Sequence, residues 1–225
     1  MDAALTLDDV YLTLPAASGP VEILKGVTFR AMPGESVAVI GPSGSGKSSL
    51  IAVATGIERA TKGEVTLLGE SLTGKSEDGL ARVRRGRVSL VFQSFHLLGT
   101  MTAFDNVRAP LEIAGLSNVD ALAKSGLEAV GLGARMDHFP GQLSGGERQR
   151  VAVARALASN PAIASRSMLA GDAMSVEYAW YVSLKPIAAM NTARPATSAK
   201  SSAAVSRRGA RTSMSATRPI QIMGA

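Results

Sequence analysis

The nine residues Gly41, Pro42, Ser43, Gly44, Ser45, Gly46, Lys47, Ser48 and Ser49 fit the pattern G-x-x-x-x-G-K-[ST], in which each fixed residue type has a task in holding phosphate. Gly41, Gly44 and Gly46 let the backbone turn where a Cβ is excluded and let it come close to phosphate oxygens. Successive backbone N–H groups then point inward and, with the positive end of the following helix, stabilise an anion. Lys47 is long enough to reach the outer phosphates, and the Ser48 hydroxyl suits Mg²⁺. A glycine-rich turn could match by chance. That reading is set aside because an apolar run precedes the loop, a helical pattern follows it and all fixed positions are filled.

A second string, LSGGERQR (Leu143 to Arg150), lies about a hundred residues further on. Ser144, Gly145 and Gly146 precede a helix expected from Glu147, which makes another helix N-terminus able to meet an anion. The same residues also read as a plain capping box, Ser144 with Glu147 three positions later. Both readings hold at once. His96 and His138 are read as surface or packing residues, because no cluster of carboxylates or histidines accompanies them.

These loops need rigid supports. Leu5 to Leu14 and Val21 to Phe29 alternate as half-buried strands around a loop at Ala16 to Pro20. Ser36 to Ile40 is a short apolar strand that feeds Gly41. A helix is expected from Lys47 to Thr55 with Gly56 as its stop. Further strands are expected at Gly63 to Gly69 and Arg87 to Phe92. Helical periodicity runs from Phe104 to Val130, broken at Gly115 to Ser117, and again from Arg148 to Ala158 before Pro161.

Both strings occur in ATP-binding-cassette ATPases, which the chain resembles from about Leu5 to Ile163. The first is their Walker A loop and the second their signature motif. The resemblance implies an α/β P-loop NTPase fold with an antiparallel β subdomain and a helical subdomain at about residues 94–142. It implies ATP and Mg²⁺ as cofactors, bound through the Walker A residues, with Ser48 on the metal. It also implies a homodimer in which Ser144, Gly145 and Gly146 of each copy close on the γ-phosphate held by the other. Gln93 closes a strand 46 residues after Lys47, where the family keeps a glutamine that touches Mg²⁺ and the attacking water. The layout of MTAFDNV (Met101 to Val107) and of Met136 to Pro140 looks most like the lipoprotein-release and macrolide-export branch. The implied partner is a membrane permease and the implied location is the cytoplasmic face of the membrane.

Departures from the family are specific. The aromatic residue expected to stack on adenine falls at Leu14, and Tyr11 is out of register. After Ile163 the family continues an apolar strand into Asp-Glu-Pro, whereas this chain places Ser167 and Met168 at the metal-orienting Asp and water-polarising Glu. No histidine follows His138. The expectation is therefore a cassette domain, 1–163, truncated before its Walker B carboxylates. It would bind nucleotide, hydrolyse it poorly and lack a strand beside Ser36 to Ile40, leaving the core sheet incomplete.

Charge changes at the same boundary. The chain carries 24 Lys+Arg against 18 Asp+Glu. Residues 1–163 are balanced, with 16 of each sign; residues 164–225 hold eight basic residues against Asp172 and Glu177. The net +6 therefore sits in the tail, which argues against a basic nucleic-acid-binding domain. That tail has 14 Ala, 10 Ser and only eight Leu, Ile or Val among its 62 residues, so disorder is expected. Val176 to Ala189 is its one apolar patch. Such a segment reads as a solvated, non-native or out-of-frame tail rather than a basic arm for nucleic acid or lipid. There is no cysteine, hence no disulfide framework. No stretch nears the roughly 20 apolar residues of a membrane helix, and the N-terminus lacks signal-peptide features, which points to a soluble chain. Three function classes follow: a transporter ATPase subunit, a non-hydrolysing nucleotide-binding partner, and a DNA-maintenance ATPase. The last is disfavoured because no coiled coil or zinc module interrupts the two motifs.

Overall fold

Strands β1 (Leu5–Leu14) and β2 (Val21–Ala31) pair antiparallel, and β4 (Lys62–Leu67) and β5 (Glu70–Ser71) extend the sheet in the order β2-β1-β4-β5. The architecture comes from a computed structural model that describes residues 2–41, 44–92, 94–169, 178–183 and 218–221. Alternation in β1 is interrupted by a bulge between Leu7 and Val10, which lets both residues face the core. Asp9 takes a φ of 49° there, and Gly63 lies so close that a Cβ would stand 2.2 Å from the Asp9 carbonyl oxygen. Only glycine fits at that crossing.

The second sheet has the order β6-β7-β8-β3-β9. It is built from β3 (Ser36–Ile40), β6 (Val88–Val91), β7 (Ile163–Leu169), β8 (Tyr178–Ser183) and β9 (Arg218–Gln221). Strands β6 and β7 run parallel, as do β3 and β9, while β8 runs antiparallel to both β7 and β3. Helix α1 (Lys47–Ala54) shares one apolar core with both sheets. In that core Leu50, Ile51 and Val53 meet Leu7, Leu12, Leu24, Val37, Val39 and Ile163. Helix α2 (Glu77–Arg84) adds Leu80 and Val83. Sequence periodicity did not reveal α2, although Ser76 caps it and its acidic first turn and basic last turn suit the helix dipole.

A separate helical cluster joins α3 (Ala103–Ile113), α4 (Val119–Ala129) and α5 (Gly145–Leu157). Asn106, 1 % exposed, ties the preceding loop down. Its side chain accepts from Leu98 N and donates to the carbonyls of Leu98, Met101 and Thr102 at 2.8–3.1 Å. Helix α5 starts at Gly145, two residues before the expected Glu147.

Two expectations are corrected. The core sheet is not short of a strand: it has five. The segment after Ile163 lies one place further out, and the place beside β3 is filled by β8. Its sequence, YAWYVS, is rich in the aromatic and β-branched residues that suit a pleated surface. Disorder across 164–225 does not hold at 164–169, 178–183 and 218–221, which pair as strands. The remaining residues of that segment lie outside the described ones.

Where the sequence changes character, β7 carries a defect. Ser165 is 1 % exposed and its hydroxyl has no hydrogen-bond partner among the described residues. Ser165→Ala is expected to stabilise the fold by about 1 kcal/mol, read as a higher urea midpoint. An unchanged or lower midpoint would contradict the unpaired hydroxyl.

Candidate functional site

Strand β3 ends at Ile40 and hands the chain to Gly41. Gly44 (φ 81°) and Gly46 (φ 84°) are left-handed, and Gly46 is the N-cap of α1. A Cβ on Gly46 would stand 3.0 Å from the Ile23 carbonyl oxygen, so this turn is closed to larger residues on two counts. Gly46 has no side chain to cap the helix, and the first turn of α1 contains no acidic residue. The helix therefore presents its positive end without a competing carboxylate.

Lys47 folds back over the loop. Its Nζ donates to the Gly41 carbonyl at 2.7 Å and to Ser45 Oγ at 3.3 Å, and the residue is 4 % exposed. Ser48 is exposed, and Ser45 and Ser49 are half-buried. This combination of uncapped amides, left-handed glycines and one buried ammonium fits a phosphate-type anion. A hard divalent cation fits less completely: Ser48 offers a hydroxyl, but no group of three or more His, Cys, Asp or Glu comes together among the described residues. Such a cation takes its remaining ligands from water and substrate phosphates. Pro42, Ser43 and Gln93 lie outside the described residues.

Sheet register locates the two residues at the expected carboxylate positions. Val39 pairs with Trp180, and Trp180 with Ser167. Ser167 is thus level with Val39, and Met168 one residue nearer the phosphate-loop end. With β8 between, β7 lies two strand spacings from β3, or roughly 9–10 Å. A hydroxyl and a thioether stand in sequence where two carboxylates were expected.

Ser144 caps α5 in a reciprocal box. Its Oγ accepts from Glu147 N at 3.3 Å, while its N and Oγ donate to Glu147 Oε2 at 2.8 and 2.7 Å. Arg135 lies 3.6 Å from the same carboxylate. Hydrogen bonds from Ser144, then the charges of Arg135 and Arg150, hold the Glu147 carboxyl below its ordinary pKa. A depressed carboxylate stabilises the fold above its unfolded pKa and loses that contribution as pH falls through the folded value. The cap should therefore loosen only in acid. Ser144→Ala is expected to cost about 1 kcal/mol and to flatten that acid dependence, both readable from pH-dependent thermal unfolding. Equal acid profiles for the two proteins would contradict it.

Ser144, Gly145 and Gly146 are exposed. Helix α5 packs on α3, α4 and β6, whereas α1 packs on β1, β2, β4 and β8; β6 and β8 belong to the same five-stranded sheet. Leu14 packs against the main core, while Tyr11 faces Lys62, with Nζ 5.9 Å from its ring centre. His96 stacks at a tilt on Phe92, with ring centres 5.1 Å apart, and His138 Nε2 lies 3.0 Å from Arg135. Neither histidine joins a group of three or more His, Cys, Asp or Glu among the described residues. Asn106 and Arg155 escaped the sequence reading, since a single polar residue in a helical pattern gives no signal of its partners.

A family model described as ABC transporter matches residues 24–165. An uncharacterized ABC transporter ATP-binding protein of Thermotoga maritima is 45% identical over 163 residues, covering 72% of this chain and 70% of that protein. The lipoprotein-releasing system ATP-binding protein LolD 2 of Caulobacter vibrioides is 46% identical over 162 residues, 71% of each chain. The macrolide export ATP-binding/permease protein MacB of Chlorobium luteolum is 46% identical over 160 residues, but the match spans only 24% of it. Among solved structures, a dimeric ATP-binding cassette in a post-hydrolysis state with ADP and Pi superposes with a TM-score of 0.68 at 35% identity, over 72% of each chain.

Proposed function

From the premise that this chain belongs to the ABC transporter family of ATP-binding proteins, we propose that it is a transporter subunit that binds ATP but hydrolyses it poorly. Its work would be coupled to export, or to lipid or lipoprotein extraction, by a separate membrane permease. The names of its LolD and MacB relatives support that class, and among the described residues no helix is long and apolar enough to cross a membrane. Attachment to a permease at the cytoplasmic face follows from this reading.

Binding falls to the amides of Gly44 and Gly46, to Lys47 and to Ser48, none of which needs a distant carboxylate. Lys47 can exchange its bonds to Gly41 and Ser45 for phosphate oxygens with little movement of the loop. Mg²⁺, when bound with ATP, supplies charge neutralisation, and Ser48 with Gln93 would hold it. Ser144 to Gly146, left exposed, would close on nucleotide held by a second copy, an arrangement supported by the dimeric cassette that the fold matches. In this reading Ser167 and Met168 carry the deficiency, as a serine and a methionine at the positions expected of a base or polarising group; the register of Ser167 with Val39 supports it. A single-turnover ATPase assay with the permease present tests this, since hydrolysis restored by the permease would make the chain an ordinary ATPase subunit.

A second reading is favoured by where the family match stops. It ends at Ser165, inside β7 rather than after a finished domain, and a shift of reading frame produces such a break. The coding DNA should then show, in another frame past codon 163, an apolar run followed by Asp-Glu-Pro and a later histidine. Absence of that pattern from both alternative frames would remove this reading.

A further inference from the structure

Helix α5 serves two cores. Val151, Ala154 and Ala158 pack into the helical cluster, whereas Ala152 and Ala156 pack with Val91, Phe95 and Leu97 at the end of β6. Between these stripes Arg155 leaves the helix. Its Nη1 donates to the His96 carbonyl at 2.8 Å and its Nη2 to the Phe95 carbonyl at 2.6 Å. Phe95 and His96 have φ values of 58° and 45°, a left-handed pair that L-residues adopt only where their surroundings hold them. No ion pair of Arg155 exists among the described residues, and burial lowers its pKa from the ordinary value. Its charge is directed to two backbone carbonyls.

The place of this turn matters. Val91 pairs with Arg166, Arg166 with Tyr181, and Tyr181 with Ala38. Strand β6 therefore ends level with Ala38, three residues before Gly41, and the chain leaves it at the phosphate-loop end of the sheet. We propose that Arg155 is a positioning residue that latches the left-handed turn Phe95–His96 to the helix capped by Ser144, fixing the path of the chain at the phosphate-loop end of the sheet, three strands from β3. This deepens, and rests on, the nucleotide-binding reading.

The test uses the full chain, a fluorescent ATP analogue with Mg²⁺, and amide exchange at residues 95–98. Arg155→Met should weaken analogue binding about tenfold, the scale of losing charge-assisted hydrogen bonds, and accelerate exchange at 95–98. Arg155→Lys, with one point donor for two carbonyls, should fall between. Adding His96→Gly to Arg155→Met removes the strain at an exposed position and should restore most of the affinity. Wild-type affinity in Arg155→Met overturns the proposal. Exchange that accelerates uniformly through the chain, or glycine that restores nothing, overturns it too. Lys47→Ala keeps the two ideas apart. If it binds the analogue as well as wild type does, the nucleotide reading fails; exchange confined to 95–98 in Arg155→Met then still supports the latch, and unchanged exchange there sinks it.

Discussion

Lys47→Ala is expected to weaken binding of a fluorescent ATP analogue by about ten- to a hundredfold, because charge-assisted hydrogen bonds contribute roughly 1.5–3 kcal/mol. Lys47 folds back over the phosphate loop, 4 % exposed and 2.7 Å from the Gly41 carbonyl. Alanine removes the ammonium and leaves that carbonyl short of a partner, so some loss of stability should accompany the loss of affinity. The two separate cleanly. Affinity lost below the melting transition is a binding effect, whereas a lowered Tm alone is a packing effect. Equal affinity in wild type and variant would show that the loop does not hold the nucleotide.

Steady-state phosphate release should fall about 10²–10⁴-fold below that of an intact relative assayed in parallel, the contribution of a positioned base or polarising group. This expectation follows from residue type and register together. Ser167 pairs through Trp180 with Val39, so the end of β7 is at the end of the sheet that leads into Gly41. Yet that strand reads Ile-Ala-Ser-Arg-Ser-Met-Leu, with no carboxylate. Turnover at the relative's rate, abolished by Lys47→Ala, would mean that a different carboxylate of this chain has taken the role.

Legibility in the sequence tracked how local the physics was. The phosphate loop, the helix after it and the Ser144–Glu147 box depend on residues within a few positions of one another, and their types sufficed. β1 and β3 were read correctly because alternation and a short apolar run are strand signals in themselves. Helix α2 was missed because it buries only Leu80 and Val83, too few for a clear period. The strand beside β3 was expected to be missing, since which segment neighbours β3 is settled by competition between distant segments. The aromatic and β-branched run at Tyr178–Ser183 took that place. Arg155 was illegible for a similar reason: its two acceptors lie 59 and 60 residues away, on backbone rather than side chains.

Binding without efficient cleavage is tested most directly by a single turnover with the chain in excess over radiolabelled ATP and Mg²⁺. Samples are split at each time between filter binding and chromatography of the nucleotide. Filter-bound label should stay ATP through the interval in which an intact relative converts its own to ADP. Label that binds and becomes ADP at the relative's rate would contradict it, as would label that does not bind at all.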